Sequence, residues 1–149
     1  MLNPLKATIT ASPSSVENDG TIKAITLNYT ASKKNNVIPS LAKINSEVVN
    51  SSPHVVYANK TTTYNLYVEY GSEVATASTR VVFINPWYIG FGNENPSLNS
   101  LNKVVSESLT KTIYLANTVE GNYLWVIVPS GKIPTVSTDK GGTYVVELT

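Results

Sequence analysis

The chain has 149 residues, of which 42% are hydrophobic and only 14% are charged, and this suits one domain or two very small ones. It contains no cysteine, which excludes disulfide bonds and thiolate metal sites. The net charge is +1 and Arg80 is the only arginine. Nucleic-acid binding is therefore not expected, because it relies on arginine contacts to phosphate and guanine.

The first third of the chain predicts β-strands. Apolar and polar residues alternate from Leu5 to Ala11, and a period of two is typical of a half-buried strand. Ser12-Pro13 ends this strand. A second strand is predicted for Thr21 to Ser32, where alternate residues are again apolar. The segment from Ile38 to Val49 lacks clean alternation and predicts one or two irregular strands.

The strongest pattern in the chain is that of a β-hairpin. Apolar and polar residues alternate from Tyr64 to Tyr70 and again from Val74 to Ile84, with Gly71 in the turn between them. Two such runs around a glycine turn predict antiparallel strands. A slip of one residue would expose the apolar face, so the pattern also predicts which side chains are buried, namely Leu66, Val68, Val81 and Phe83.

The second half of the chain is less regular. Proline cannot donate to a strand ladder, so Asn85-Pro86 is predicted to end the hairpin, and residues 86–92 to form an aromatic connector. After Asn95-Pro96, leucine and valine recur at spacings of three and four, which predicts one short helix near residues 97–108. Three strands are predicted after it, over Lys111 to Ala116, Asn122 to Val128 and Thr143 to Leu148.

Short strands separated by turns favour a β-sandwich over a fold that alternates strands and helices. We therefore predict a mainly β fold with an immunoglobulin-like sandwich over residues 1–85. A small β-rich domain or extension with the one short helix is predicted over residues 86–149. The Cys–Trp–Cys pattern of antibody domains is absent.

Four segments of the chain resemble segments of known proteins. Ala7 to Val16 and Lys60 to Tyr70 are similar to the opening and penultimate strands of bacterial and phage immunoglobulin-like domains. Val82 to Gly90, followed by Tyr123 to Pro129, resembles structural proteins of tailed phages that infect gut bacteria, the crAss-like phages among them. The resemblance implies an accessory structural protein of the virion and carries over no catalytic residue.

The function that this resemblance implies is that of a non-enzymatic virion component, foremost a capsid-decorating or head-fibre protein. Its partners would be other virion proteins, namely the major capsid protein or fibre and tail subunits, and it could also form a homo-oligomer. The expected location is the virion, after assembly in the host cytoplasm. The first residues contain no signal-peptide apolar region, and Leu124 to Val128, the longest apolar run, is too short for a membrane helix.

Two alternatives to a head protein remain open. The first is a tail or fibre component of the same particle, which the sequence does not distinguish from a head protein. The second is a carbohydrate-binding module that uses Trp87 or Trp125 to stack on a sugar.

Patterns that carry enzyme chemistry are absent from the sequence. The only histidine is His54, and there is no G-x-S-x-G motif to supply a nucleophile. The ten carboxylates are scattered, and no calcium loop or histidine cluster is present. We therefore predict that the chain is not an enzyme and binds no metal or cofactor.

The aromatic residues and the C-terminal strand are the candidates for a subunit interface. Trp87, Tyr88 and Phe91 cluster in the predicted connector, and the alternatives for this cluster are a small core, an interface or a sugar platform. Tyr144 and Val146 lie in an apolar strand that is predicted to form an exposed edge. An apolar edge is normally covered by a neighbour, so these five residues form the predicted interface.

Overall fold

The computed structural model of the chain describes residues 2–92, 101–107, 110–114, 123–128, 134–138 and 143–148. These residues form β-strands and turns without a helix, which confirms the mainly β fold. The chain divides into two compact units. The first comprises residues 1–16 and 22–82, and the second comprises residues 17–21 and 83–149.

The first unit is a sandwich of two antiparallel sheets. Its strands are β1 (Lys6–Ser12), β2 (Ser15–Glu17), β3 (Lys23–Ser32), β4 (Asn36–Val37), β5 (Leu41–Ile44), β6 (Glu47–Val48), β7 (His54–Ala58), β8 (Thr62–Tyr70) and the first half of β9 (Glu73–Gly92). In one sheet, β3 is central, with β1 on one side and β4 and β7 on the other. The other sheet has the order β9-β8-β5-β6, and β2 lies beside β9. The first unit is therefore a β-sandwich, as predicted.

The core of the first unit follows from the alternation of apolar residues along these strands. The hairpin prediction is confirmed, since β8 pairs with β9 from Thr62 opposite Val81 to Tyr70 opposite Glu73. The predicted face is buried, and it meets the apolar face of the β3 sheet. The buried side chains include Ile9, Ile25, Leu27, Tyr29, Ile44, Tyr64, Leu66, Val68 and Val81.

The irregular segment between Ile38 and Val49 contains two short strands, β5 and β6. Asn45 and Ser46 join them, and both have positive φ angles of 47° and 73°. Two such residues in succession form the tight turn whose twist suits a hairpin. The Asn45 side chain ties this turn to β8, because its Nδ2 donates to the Thr63 carbonyl at 3.2 Å and its Oδ1 accepts from the Asn65 amide at 2.8 Å.

Strand β9 continues through Pro86, so the prediction that Asn85-Pro86 ends this strand is wrong. Alternate residues of a strand direct their backbone groups to the same edge. On the edge beside β2, the Val82 amide donates to Ser14 and the Ile84 carbonyl accepts from Asn18. The backbone nitrogen of Pro86 faces that same edge, past the contact with Asn18. Residues 123–127 pair with β9 on this edge, and their pairing begins only at Tyr88. The missing amide hydrogen of Pro86 therefore interrupts no ladder bond.

In the part of the second unit that the structure describes, the second half of β9 is joined by five further strands. They are β10 (Asn102–Ser106), β11 (Thr110–Tyr114), β12 (Tyr123–Ile127), β13 (Pro134–Thr138) and β14 (Thr143–Leu148). Strands β10 and β12 pair with β9, so the predicted connector at residues 86–92 is a strand. Strands β11, β14 and β13 form a separate sheet in that order. The three strands predicted for this region correspond to β11, β12 and β14, whereas β13 was not predicted.

The short helix predicted near residues 97–108 is not found where the structure describes this segment. Residues 102–106 are strand β10, and residues 97–100 and 108 lie outside the described residues. Leu101 is buried just before β10, whereas Val105 within β10 is exposed, so the spacing of four between them does not mark one buried helix face. Val104 and Val105 are β-branched, and pairing with β9 satisfies the backbone. These two factors favour the strand.

Candidate functional site

The predicted interface residue Trp87 lies in a core. Its side chain is 0% exposed, on the same face of β9 as the buried Phe83 and Asn85. Within the described part of the chain, its indole Nε1 has no hydrogen-bond partner. A side chain without exposed surface neither docks a partner nor stacks on a sugar. The structure therefore favours the core alternative for Trp87.

Tyr88 and Phe91 lie on the same strand as Trp87, β9. Tyr88 is half-buried on the opposite face of β9, because successive side chains alternate. The Lys103 ammonium lies 5.9 Å from the centre of the Tyr88 ring, within the range of a cation–π contact. Phe91 is opposite Leu124 of β12. The structure thus assigns Trp87 and Tyr88 to different environments.

Tyr144 and Val146 belong to β14, which is not the exposed edge that was predicted. Tyr144 is opposite Ile113 on one side and Thr138 on the other. Val146 is likewise opposite both Lys111 and Val136. Both edges of β14 are therefore already paired within the chain. The prediction failed because β13, the strand that covers one of these edges, was not recognised in the sequence.

A buried amide organises the border of the second unit. Asn85 is buried between Phe83 and Trp87 on β9. Its Oδ1 accepts a hydrogen bond from Asn18 Nδ2 at 3.1 Å, and its Nδ2 donates to the Glu107 carbonyl at 3.3 Å. Buried polar groups require such partners. Asn85 therefore joins β9 both to the segment 17–21 and to the end of β10.

Two lysine–carboxylate pairs connect titratable groups of the described residues. Glu73 accepts a hydrogen bond from Lys33, which holds the pKa of that carboxyl below its usual value. Glu17 accepts one from Lys103, which raises the pKa of the lysine. His54 lies on β7 opposite Leu27. Among the described residues, no three His, Asp or Glu side chains gather as metal ligands would, and no helix has the length and apolar character to cross a membrane.

A shallow concavity of about 810 Å³ lies on the first unit, where β5, β8 and β9 run side by side. We call it the Tyr67 groove, and its lining residues are Lys43, Asn45, Ser46, Asn65, Leu66, Tyr67, Thr76, Ala77 and Ser78. Tyr67 stands between Lys43 and Thr76, its neighbours on the adjacent strands. Its hydroxyl donates to Glu69 Oε1 at 2.7 Å, and this bond, with some burial, raises the pKa of the phenol. The groove thus combines one oriented aromatic ring with hydroxyl and amide groups.

A second cavity, of about 360 Å³, opens among the loops of the first unit. It lies between the end of β3, residues 36–42 and residues 48–52. None of its lining residues carries a charge, and Ile38 and Val48 among them are well exposed. Its lining is uncharged and weakly polar.

The outer strand β7 presents an apolar surface. Its side chains at Val55 and Tyr57 are 48% and 73% exposed. Ala24 is opposite Tyr57 on β3, and Ile22, just before β3, is also exposed. We call the unpaired side of β7, together with these apolar side chains, the β7 edge.

No protein-family model, curated protein or solved structure matches the chain. Sequence reasoning missed both the Tyr67 groove and the β7 edge. The residues of the groove come from three strands whose neighbours are known only from the fold. The sequence did contain a signal for strand β7, because the short uncharged run from His54 to Ala58 is rich in β-branched and aromatic residues.

Proposed function

We propose that this chain is a non-enzymatic structural component of a phage virion, foremost a capsid-decorating or head-fibre protein. The supporting observation is the position in the fold of the segments that resemble phage structural proteins. Ala7 to Val16 spans β1 and the start of β2, and Lys60 to Tyr70 contains β8. Val82 to Gly90 lies within β9, and Tyr123 to Pro129 contains β12. These are the strands that build the sheets, so the resemblance follows the architecture.

The mode of action in this proposal is passive binding through exposed strands and loops. The sandwich of the first unit presents weakly charged, weakly polar surfaces, which suit contacts with neighbouring subunits. Each such contact stabilises the particle by burying apolar surface, at about 25 cal/mol per Å² before the cost of association is subtracted. A structural role of this kind requires surfaces that bind neighbouring subunits and no catalytic group.

The proposal predicts that the protein copurifies with phage particles. Particles banded in a density gradient and digested with trypsin should yield its peptides at a constant ratio to those of the major capsid protein. Antibody labelling in electron micrographs should then mark heads, and labelling confined to tails would favour the tail or fibre alternative. Peptides found only in the soluble fraction of the lysate would contradict a virion role.

Carbohydrate binding is a second candidate, supported by the Tyr67 groove rather than by Trp87. The groove offers a half-exposed aromatic ring for stacking beside the side chains of Asn65, Thr76 and Ser78, whose amide and hydroxyl groups can donate and accept hydrogen bonds. Neutral sugars present hydroxyl groups and an apolar ring face, which this combination complements. The same structure removes Trp87 as a stacking residue.

The Tyr67 groove is tested by matched tyrosine substitutions. Tyr67→Ala should abolish any glycan signal on an array, because it removes the stacking ring. Tyr70→Ala changes an exposed tyrosine of β8 that does not line the groove and should leave that signal intact. Equal loss of signal in both variants, or no signal from the unmodified protein, would eliminate this candidate.

A further inference from the structure

We propose that two copies of this chain associate through the β7 edge, by antiparallel pairing of their β7 strands about a two-fold axis at Val56. The inference concerns the solution state of the protein and does not depend on a location in the virion. It rests on the free backbone edge of β7, on the absence of charge along it, and on the register that a two-fold axis would produce.

One edge of β7 is free in the described structure. The strand pairs with β3 from Lys23 opposite Ala58 to Leu27 opposite His54. No other described strand pairs with it, so its second row of amide and carbonyl groups faces outward. A free row of this kind is a template for another strand.

The β7 edge lacks the features that normally protect a free strand edge. Charged residues, proline and bulges discourage pairing at such edges. Residues 54–58 are His-Val-Val-Tyr-Ala, without lysine, glutamate, aspartate or proline, and their register with β3 is continuous. The outer strands β1, β6 and β10 each contain a charged residue, namely Lys6, Glu47 and Lys103.

The exposed side chains of β7 are apolar. Val55 and Tyr57 project from the same face of the sheet because they are two residues apart. Tyr57 is the more exposed of the two, and the exposed Ile22 extends the apolar surface beyond β3. Pairing with any strand would satisfy the free amide and carbonyl groups of β7. A partner strand with apolar side chains opposite Val55 and Tyr57 would also cover these two side chains.

A second copy of the chain provides those side chains at the required positions. In an antiparallel pair centred on Val56, Val55 of one copy is opposite Tyr57 of the other, and the reverse pair forms by symmetry. His54 is then opposite Ala58. Pairs of an aromatic and a β-branched residue are favourable across strands, and like charges would be unfavourable. Along the chain, the charged residue nearest to β7 is Lys60, and it would be opposite Ser52 of the other copy.

The solution mass of the purified full chain tests this directly. Sedimentation velocity should show a concentration-dependent shift from the 16.1 kDa monomer toward twice that mass. Val55→Lys should raise the dissociation constant about tenfold or more, because two symmetry-related pairs are lost together. Val74→Lys is the matched control, since Val74 is 52% exposed on β9 and belongs to the other sheet. It should leave the dissociation constant unchanged.

A cysteine at the symmetry axis gives a second, independent test. The chain has no cysteine, so Val56→Cys introduces a single thiol that would meet its own copy. Directly opposite residues of antiparallel strands are close enough for a disulfide. Mild oxidation should give a covalent dimer in Val56→Cys and not in Val74→Cys. A strictly monomeric protein, a dimer indifferent to Val55→Lys, equal crosslinking in both cysteine variants, or β7 occupied only by a different protein would each overturn the proposal.

Discussion

Replacing Leu66 with alanine should lower the free energy of unfolding of the first unit by about 2–5 kcal/mol. Leu66 is 1% exposed on β8, where it lies between Ile44 of β5 and Ala77 of β9. The substitution removes most of an apolar side chain from a packed interior and leaves a cavity that the neighbouring strands only partly fill. Urea unfolding followed by far-ultraviolet circular dichroism measures the loss.

The same chemical change at Leu2 is the control for Leu66→Ala. Leu2 is 93% exposed, so Leu2→Ala should change the free energy of unfolding by less than about 0.5 kcal/mol. Similar unfolding midpoints for Leu66→Ala and the unmodified protein would show that the apolar face of β8 is not the core of the sandwich.

Replacing Trp87 with alanine should destabilise the second unit by about 3–5 kcal/mol. The side chain is completely buried, and its removal leaves a larger cavity than the loss of a leucine does. Trp87→Phe should cost less, because it keeps an aromatic ring and removes an indole N–H that has no partner among the described residues. The relative stabilities of the two variants therefore test both the burial of the Trp87 side chain and the cost of its indole N–H, which has no partner among the described residues.

Fluorescence gives a readout specific to the second unit. The chain has two tryptophans, Trp87 and Trp125, and both belong to the second unit. In Trp87→Ala, the remaining emission comes from Trp125 and should change at a lower urea concentration. If Trp87 were an interface residue instead, Trp87→Ala would weaken association and leave this unfolding midpoint unchanged.

The sequence predicted the first unit well because its strands have one buried face. On β8, every second residue is apolar, so periodicity alone specified both the strand and the burial of Leu66 and Val68. The Asn45-Ser46 turn was harder to predict, since both residues adopt a backbone conformation that is commoner in glycine. Contacts of Asn45 with β8 support that conformation, and those contacts depend on the fold.

The second half was predicted less accurately because local signals there conflict with long-range pairing. Pro86 signals the end of a strand, yet it lies where β9 requires no donor. Asn85 interrupts the apolar alternation that would otherwise link Phe83 to Trp87, so the burial of Trp87 was not evident. Strand β13 has only Val136 as a large apolar residue, and its existence depends on pairing with β14.

The candidate sites depend even more on the fold than the strands do. The exposed β7 edge exists because no described strand follows β7 in its sheet, a fact that periodicity does not report. The Tyr67 groove joins Lys43, Asn65 and Thr76, which lie on three different strands. Sequence reasoning named none of the groove residues, because the pairing of the strands determines which side chains are neighbours.

The hydrogen bonds of the buried Asn85 amide favour the correct alignment of β10 on β9 over a shifted one. A shift of two residues would keep the same side chains facing inward, so apolar contacts alone discriminate weakly against it. Such a shift would carry the Glu107 carbonyl away from Asn85 and break the hydrogen bond that Asn85 Nδ2 donates to it. Asn85 therefore contributes specificity as well as stability, because its hydrogen bond to Glu107 forms in only one alignment of β10 on β9.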